Sequence, residues 1–223
     1  MTQPERWLAA TWPVVRAALP APPARVVELG CGRVGGHVPA MRAAGYDALG
    51  VDPEAPAGDE YRRIEFERLD EPSGTLAAVV ASASLHHVAD PAAVLDGITR
   101  LLAPDGWIVV VEWDWEAFDE PTAEWCFARL ADGDDGWLHR HRTGWAASGR
   151  PWSAYLRGWA DEHGIHGAAL LLGLLGERFR LERPAYGPYL FADLAGTTEA
   201  DEKAAIDAGE IRATRVQVVG RRR

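Results

Sequence analysis

The sequence predicts a doubly wound α/β fold, in which helices cover both faces of a mostly parallel sheet. Short apolar runs alternate with segments whose apolar residues recur at helical spacing, and the clearest runs are VVEL (26–29), AAVVA (77–81) and WIVVV (107–111). Such alternation is typical of βαβ units, whose parallel strands are buried on both faces. A chain of 223 residues is long enough for one large domain with a substantial core.

The elements of the first half follow one another along the chain. An N-terminal helix is predicted within residues 1–23, because Pro20, Pro22 and Pro23 end it. Five strands are predicted at residues 25–29, 48–51, 62–67, 77–81 and 107–111. A helix at 34–44 is closed by Gly45, and another begins after Asp90-Pro91, which supply an N-cap and a first-turn proline. Residues 24–112 thus form the predicted core.

The second half begins with a break in this alternation. Residues 113–178 contain seven of the ten tryptophans in helix-like segments, which predicts a helical insertion packed over the sheet. After it, residues 186–193 and 214–220 are predicted as two further strands, with a helix at 199–208 between them. The whole chain is therefore interpreted as a single domain, 1–223, that ends in a strand pair within 184–220.

Composition and charge exclude several classes of protein. The net charge of −10 disfavours a nucleic-acid partner, because phosphate binding depends on clustered Lys and Arg. The most apolar stretch, 168–175, is much shorter than the ~20 residues that span a bilayer, and no signal peptide is recognised. Cys31 and Cys126 are far apart and lack metal-site spacing, so no disulfide and no metal are expected. We expect a cytoplasmic monomer or homodimer.

A glycine motif with an acidic residue beside it narrows the choice of ligand. The stretch VVELGCGRVGGH (26–37) contains Gly30, Gly32 and Gly35 in the G-x-G-x-x-G spacing of a dinucleotide turn. Glu28 lies two residues before the first glycine, and a carboxylate within ~4 Å of a phosphate costs on the order of 1–4 kcal/mol. A cofactor with an ammonium and a sulfonium would instead be favoured by that carboxylate. The glycines would still be needed, because the backbone must pass close to the ligand.

Four stretches in order resemble the class I, seven-stranded S-adenosylmethionine-dependent methyltransferases. They are VVELGCG (26–32), GVDP (50–53), VVASASLHHVADP (79–91) and ITRLLAPDGWIVVVE (98–112). The resemblance implies a sheet of order 3-2-1-4-5-7-6, S-adenosylmethionine as cofactor, and in-line methyl transfer to a small-molecule acceptor. It also implies that the tryptophan-rich insertion lies over the acceptor, which would then be aromatic or apolar. The family's third glycine is replaced by Val34, and the Gly-Asp that marks its adenine contact is missing from FERLDEPSG (66–74).

The resemblance implies roles for individual residues at the cofactor. Gly30, Cys31 and Gly32 would lie against it, and Asp52 at the end of the second strand would accept hydrogen bonds from the ribose hydroxyls. Ser82, just past the fourth strand, would line the methionine part. Glu28 would either face the methionine ammonium or hold N–H groups of the loop. Simpler interpretations remain open, since Asp52 and Ser82 could be turn or cap residues.

A general base is needed only if the acceptor loses a proton on attack. His86, at the mouth of the fourth strand, is the predicted base, and Glu112 and Asp114 at the end of the fifth strand are comparable candidates. His139 and His141 are interpreted as surface residues. Two other functions are considered: an NAD(P)-dependent oxidoreductase, suggested by G-x-G-x-x-G and Asp52, and an S-adenosylmethionine-binding protein without catalysis.

Overall fold

A computed structural model describes residues 1–131, 133 and 135–223. Within these residues one eight-stranded sheet forms the centre of the molecule. Its strands are β1 (Arg25–Leu29), β2 (Asp47–Val51), β3 (Tyr61–Arg62), β4 (Leu76–Ser82), β5 (Leu102–Trp113), β6 (Phe179–Leu181), β7 (Ala185–Gly187) and β8 (Arg215–Arg222).

The strand order is β3-β2-β1-β4-β5-β8-β6, and β7 also pairs with β8. Strands β1 to β5 pair in parallel, whereas β8 runs antiparallel to β5, β6 and β7. Two short strands, β6 and β7, therefore share the edge position that the sequence assigned to one strand. When β6 and β7 are counted together as the sixth strand, β8 becomes the seventh, and the predicted order 3-2-1-4-5-7-6 is confirmed.

The prediction of a strand at 186–193 is wrong beyond Gly187. Pro188 follows directly and has no N–H to donate to a ladder. The next backbone donors, Tyr189 N and Phe191 N, bind the Glu202 carboxylate at 2.9 and 2.6 Å. Residues Leu190–Asp193 consequently form a 3₁₀ turn rather than a strand.

The third strand and the second helix also differ from the prediction. The third strand covers only Tyr61–Arg62 instead of 62–67, because the chain turns into a 3₁₀ segment at Phe66–Arg68 that buries Phe66. The helix predicted at 34–44 begins at Val38, since Gly35 and Gly36 adopt left-handed φ angles of +82° and +56°. A longer glycine loop is thus left between β1 and the helix.

Helices cover both faces of the sheet, as the sequence predicts. The described α-helices are α1 (Gln3–Ala18), α2 (Val38–Ala43), α3 (Pro91–Leu101), α4 (Glu120–Phe127), α5 (Trp137–Ser148), α6 (Trp152–His163), α7 (Ala168–Arg178) and α8 (Glu199–Asp207). Neighbouring residues of a buried strand point to opposite faces, so Val26 packs with α1 and α2 while Val27 packs with α3 and α7.

The helices of the 113–178 segment divide into two groups. Leu171 and Leu175 of α7 lie in the same core as β4 and α3, so α7 belongs to the sheet layer. Helices α4, α5 and α6 instead surround a separate core centred on Trp113, Phe118 and Trp152. Helices α4 to α6 are therefore the part of the 113–178 segment that packs outside the sheet layers. No helix in the described part of the chain has both the length and the apolar character needed to cross a bilayer.

Candidate functional site

The carboxyl ends of β1, β2 and β4 meet at one point of the sheet, where the glycine loop begins. Gly30 N donates to Val51 O at 2.8 Å, which ties the end of β1 to β2. The φ angle of Gly30 is +78°, and a Cβ there would lie 2.2 Å from Ser84 Cβ. Glycine is required at this position both for the backbone conformation and for the close approach of Ser84.

A cavity of about 740 Å³ opens between these strand ends and the 3₁₀ segment after β3. Its walls include Gly32, Asp52, Phe66, Glu67, Ser84 and His87. A Cβ built on Gly32 would meet no atom within 4 Å, so the space beside this glycine is open to a ligand. The cavity lies at the position where open α/β sheets bind their ligands.

Asp52 is fixed at the wall of this larger cavity by two backbone donors. Its Oδ2 accepts from Gly32 N at 3.0 Å, and its Oδ1 accepts from Glu54 N at 2.7 Å. A carboxylate has about four lone-pair positions, so acceptor capacity remains for a ligand diol. The sequence interpretation of Asp52 as a turn residue and its interpretation as a ligand residue are therefore compatible.

A smaller cavity of about 240 Å³ adjoins the first. Gly30 and Ala83 line both cavities and form the boundary between them. The smaller cavity is lined on the sheet side by Glu28, Cys31 and Ser82, and on the other side by Trp7, Leu8, Trp137 and Tyr189. Ala83 has a φ of +51°, a conformation that non-glycine residues rarely adopt and that is often found at functional sites.

Glu28 is buried, and its carboxylate holds the glycine loop. Its Oε2 accepts from His37 N at 2.7 Å, and its Oε1 lies 3.0 Å from His37 Nδ1. On the far side of the ring, His37 Nε2 lies 3.0 Å from Thr11 Oγ1 of α1. The Glu28 carboxylate thus holds an N–H group of the loop, and the residue also lines the smaller cavity.

Cys31 has a thiol that stays neutral. Burial, together with the neighbouring carboxylates of Glu28 and Asp52, raises the pKa of the Cys31 thiol to about 12. Its Sγ lies so close to Gly50 that a Cβ on that glycine would be 2.9 Å away. The side chain therefore packs against β2 as a small apolar group, and Cys31 lines the smaller cavity without offering a thiolate.

His86 and Glu112 form a buried pair behind the cavities. Glu112 Oε1 accepts from Ser84 N at 2.9 Å and from Leu85 N at 2.7 Å, while its Oε2 contacts His86 Nδ1. Neither residue lines either cavity. Glu112 therefore braces the turn that carries Ser84, and its contact to Nδ1 fixes the orientation of the His86 ring. Asp114, the other candidate base, lies in a separate groove beside Glu116, where burial and that neighbour raise its pKa.

The expectation that His139 and His141 are surface residues is wrong, because both are buried in the helical cover. The His141 ring contacts the rings of Trp137 and Trp159, with centroid distances of 5.6 and 4.5 Å. Burial is the main cause that lowers the pKa of His141 to about 4. The LHRHR sequence looks polar, but both of its histidines are buried, and His141 points into an aromatic core.

Sequence reasoning did not identify several lining residues. Ser84 was missed although it stands two residues after Ser82, and its Oγ donates to Leu29 O at 3.0 Å. Trp7 belongs to the apolar pattern of α1, which predicts that the residue is buried but does not predict that it lines a site. Tyr189 falls in the segment misassigned as a strand, so its position could not be deduced.

The fold and the site define a class I methyltransferase. A family model described as a methyltransferase domain matches residues 5–155, which is more than half of the chain. The chain therefore belongs to this methyltransferase family, which uses S-adenosylmethionine as its cofactor. Family membership favours this cofactor over the nicotinamide cofactor that the glycine spacing also allowed.

Solved structures agree with this assignment at the level of the fold. An S-adenosylmethionine-dependent methyltransferase from Mesorhizobium loti is 20% identical, with a TM-score of 0.57 over 96% of this chain and 98% of that chain. Geranyl diphosphate C-methyltransferase from Streptomyces coelicolor A3(2), solved with Mg²⁺, geranyl diphosphate and S-adenosyl-L-homocysteine, is 15% identical, with a TM-score of 0.57 over 96% of this chain and 80% of that chain. A search of curated proteins finds no match to this chain.

Proposed function

We propose that the protein transfers a methyl group from S-adenosylmethionine to a small, uncharged acceptor in the smaller cavity. The observation that carries this proposal is the pair of adjoining cavities that share Gly30 and Ala83 as their boundary. The larger cavity suits the adenosine, and the sheet side of the smaller one suits the methionine end. The opposite side of the smaller cavity remains for the acceptor.

The residues of the site fit the cofactor. Asp52 is held where it can accept hydrogen bonds from the ribose hydroxyls, and Gly32 leaves open space beside it. Glu28 shapes the loop through His37, while Gly30, Cys31 and Ser82 line the wall assigned to the methionine end. The bound cofactor would supply a methyl group on a positively charged sulfur, and these residues orient it.

The acceptor side is mainly aromatic and carries no basic group among its described residues. Trp7, Leu8, Trp137 and Tyr189 provide apolar walls, and Glu28 and Asp193 are the ionisable carboxyl groups of the lining. Burial together with the carboxylates of Glu112 and Asp193 raises the pKa of the Tyr189 phenol, which stays neutral. An anionic acceptor would be repelled here. A diphosphate such as the ligand of the Streptomyces coelicolor enzyme is therefore disfavoured for this chain.

Positioning supplies most of the rate acceleration in this proposal, because methyl transfer from a sulfonium is an in-line displacement. His86, the base that the sequence predicts, lines neither cavity, so we propose transfer without a general base in contact with the acceptor. The His86 ring is one aromatic residue away from the lining, since Trp113 contacts both His86 and Trp137, with centroid distances of 6.3 and 5.1 Å.

A screen with isotopically labelled S-adenosylmethionine tests the proposed function. The panel should pair each uncharged aromatic or apolar compound with a carboxylated or phosphorylated analogue of similar size. We expect labelled product and S-adenosylhomocysteine from uncharged members only. Turnover confined to anionic members, or to a protein or nucleic acid, would contradict the proposed acceptor class. Cofactor binding without turnover of any acceptor would support the non-catalytic alternative.

A further inference from the structure

Two residues that line the smaller cavity each have a buried polar atom without a hydrogen-bond partner. These atoms are Trp7 Nε1 on α1 and Ser82 Oγ at the end of β4. The two side chains are more than nine-tenths buried, with exposed fractions of 9% and 7%. Buried polar groups without partners are uncommon and cost free energy, so each one calls for an explanation such as a missing ligand.

The neighbouring carboxylates do not satisfy these atoms. Glu28 accepts from the backbone and ring of His37. Asp193 accepts from Trp137 Nε1 at 2.9 Å and from Gln3 Nε2 at 3.3 Å. An indole N–H can only donate, so an acceptor on a ligand bound in this cavity would satisfy Trp7.

The methionine end of the cofactor brings such an acceptor into the cavity. Its carboxylate would be buried near Glu28 and Asp193, and the described lining contains no Lys or Arg to neutralise it. A buried carboxylate is tolerated only when donors hydrogen-bond to it. Trp7 Nε1 and Ser82 Oγ are the fully buried side-chain donors of this lining that have no partner.

Helix α1 is fixed firmly enough to place Trp7 in this role. The Arg6 guanidinium donates to the carbonyl oxygens of Phe191 at 2.9 Å and of Ala192 and Leu194 at 3.2 Å. The Trp7 ring also packs edge-on against Tyr189, with a centroid distance of 5.8 Å. These contacts anchor the N-terminal part of α1 to the turn that follows β7.

We infer that Trp7 and Ser82 together bind the carboxylate of the cofactor's methionine end, so that α1 is part of the cofactor site. The inference rests on the placement of the methionine end proposed above, but not on any property of the acceptor. It assigns a ligand-binding role to an element outside the sheet and its glycine loop. The ionic recognition expected for a carboxylate is replaced by two neutral donors.

Isothermal titration calorimetry without any acceptor tests the inference. The probes are S-adenosylhomocysteine and its decarboxylated analogue, which keeps the sulfur and the amine. The variants are Trp7→Phe and Ser82→Ala, and the control is Trp12→Phe, the same substitution on α1 at a residue outside the cavity lining. We expect each variant to bind S-adenosylhomocysteine roughly tenfold more weakly and the decarboxylated analogue less than threefold more weakly. Trp12→Phe should bind both probes as the unaltered protein does.

The comparison of the two probes decides the outcome. Equal losses for both probes would show that the residues support α1 rather than the carboxylate, and unchanged affinities would also overturn the inference. If Trp7→Phe does not fold, two measurements still test the inference. One is whether Ser82→Ala weakens the binding of S-adenosylhomocysteine more than that of its decarboxylated analogue, and the other is whether the unaltered protein prefers the carboxylated probe. Failure of the acceptor screen would leave these binding results unaffected, so the two proposals can fail separately.

Discussion

Glu28 and His37 are joined by two contacts, one from the carboxylate to the His37 backbone N–H at 2.7 Å and one to ring Nδ1 at 3.0 Å. The pair closes the glycine loop over the end of β1, and Gly36 has no room for a Cβ because the Glu28 carboxyl group would lie 2.5 Å away. The acidic residue beside the glycines is thus explained first by the shape of the loop.

Glu28→Gln should destabilise the protein and loosen the loop. The amide can satisfy only one of the two His37 donors and turns its own N–H toward the other, so we expect a loss of about 1–3 kcal/mol in the free energy of unfolding. Urea denaturation measures this loss, and Glu124→Gln, a change at an exposed carboxylate, is the control. Equal midpoints for the two variants would show that the pair does not support the fold.

Asp52→Ala should weaken cofactor binding by about 1.5–3 kcal/mol, since the ribose loses a charged acceptor and Gly32 N loses its partner. Calorimetry with S-adenosylhomocysteine provides the measurement. Asp47→Ala is the matched control, because Asp47 is an exposed residue at the opposite end of the same strand. A folded Asp52→Ala protein with unchanged affinity would reduce Asp52 to a turn residue.

Trp137→Ala and Trp152→Ala should separate the acceptor site from the core. Trp137 lines the smaller cavity, so its removal should raise the KM of an acceptor found in the screen while cofactor affinity stays nearly constant. Trp152 is fully buried and donates to Phe118 O, so its removal should lower the free energy of unfolding by about 3–5 kcal/mol. If Trp137→Ala lost only stability, the acceptor would have to bind elsewhere.

Removing residues 211–223 should abolish the native fold. This deletion removes β8, which lies inside the sheet and pairs with β5 from Trp107 to Trp113. The deletion also leaves β6 and β7 without the strand that joins them to the sheet. We expect insoluble or molten protein by near-ultraviolet circular dichroism, whereas deletion of Arg223 alone should preserve cooperative unfolding. A cooperative transition at the original midpoint after the longer deletion would contradict this topology.

His141 should make stability depend on pH below about 6.5. Its pKa is about 4 in the folded protein, so between these values the unfolded chain binds a proton that the folded chain does not. The contribution of neutral His141 to the free energy of unfolding is therefore fully present above pH 6.5. It declines as the pH falls toward 4, by about 3 kcal/mol in total. His141→Phe should show a shallower decline in urea midpoints between pH 7 and 4.5. Parallel pH profiles for the two proteins would remove His141 as the cause.

Much of the fold could be predicted from the sequence because it depends on local patterns. The runs at 25–29, 77–81 and 107–111 are short and mainly apolar, which is typical of strands buried on both faces of a parallel sheet. Asp90-Pro91 marks the start of α3 by its own capping chemistry, and Asp90 Oδ1 does accept from Ala93 N at 3.0 Å. The glycine loop was also recognisable, since left-handed φ angles at Gly30 and Gly32 require glycine.

What the sequence by itself determined were the parallel strands, the glycine loop and the cofactor class, because each depends on residues close together in the chain. Only the tertiary structure decided that the backbone N–H groups of Tyr189 and Phe191 donate to the Glu202 carboxylate rather than to a neighbouring strand. It also decided that His141 is buried and that Trp7 lines the smaller cavity. Tertiary contacts of this kind join residues far apart in sequence. Thr11 contacts His37, for example, and Arg6 donates to Leu194 O. Which distant groups meet depends on how whole helices pack, and no short stretch of residues encodes that packing by itself.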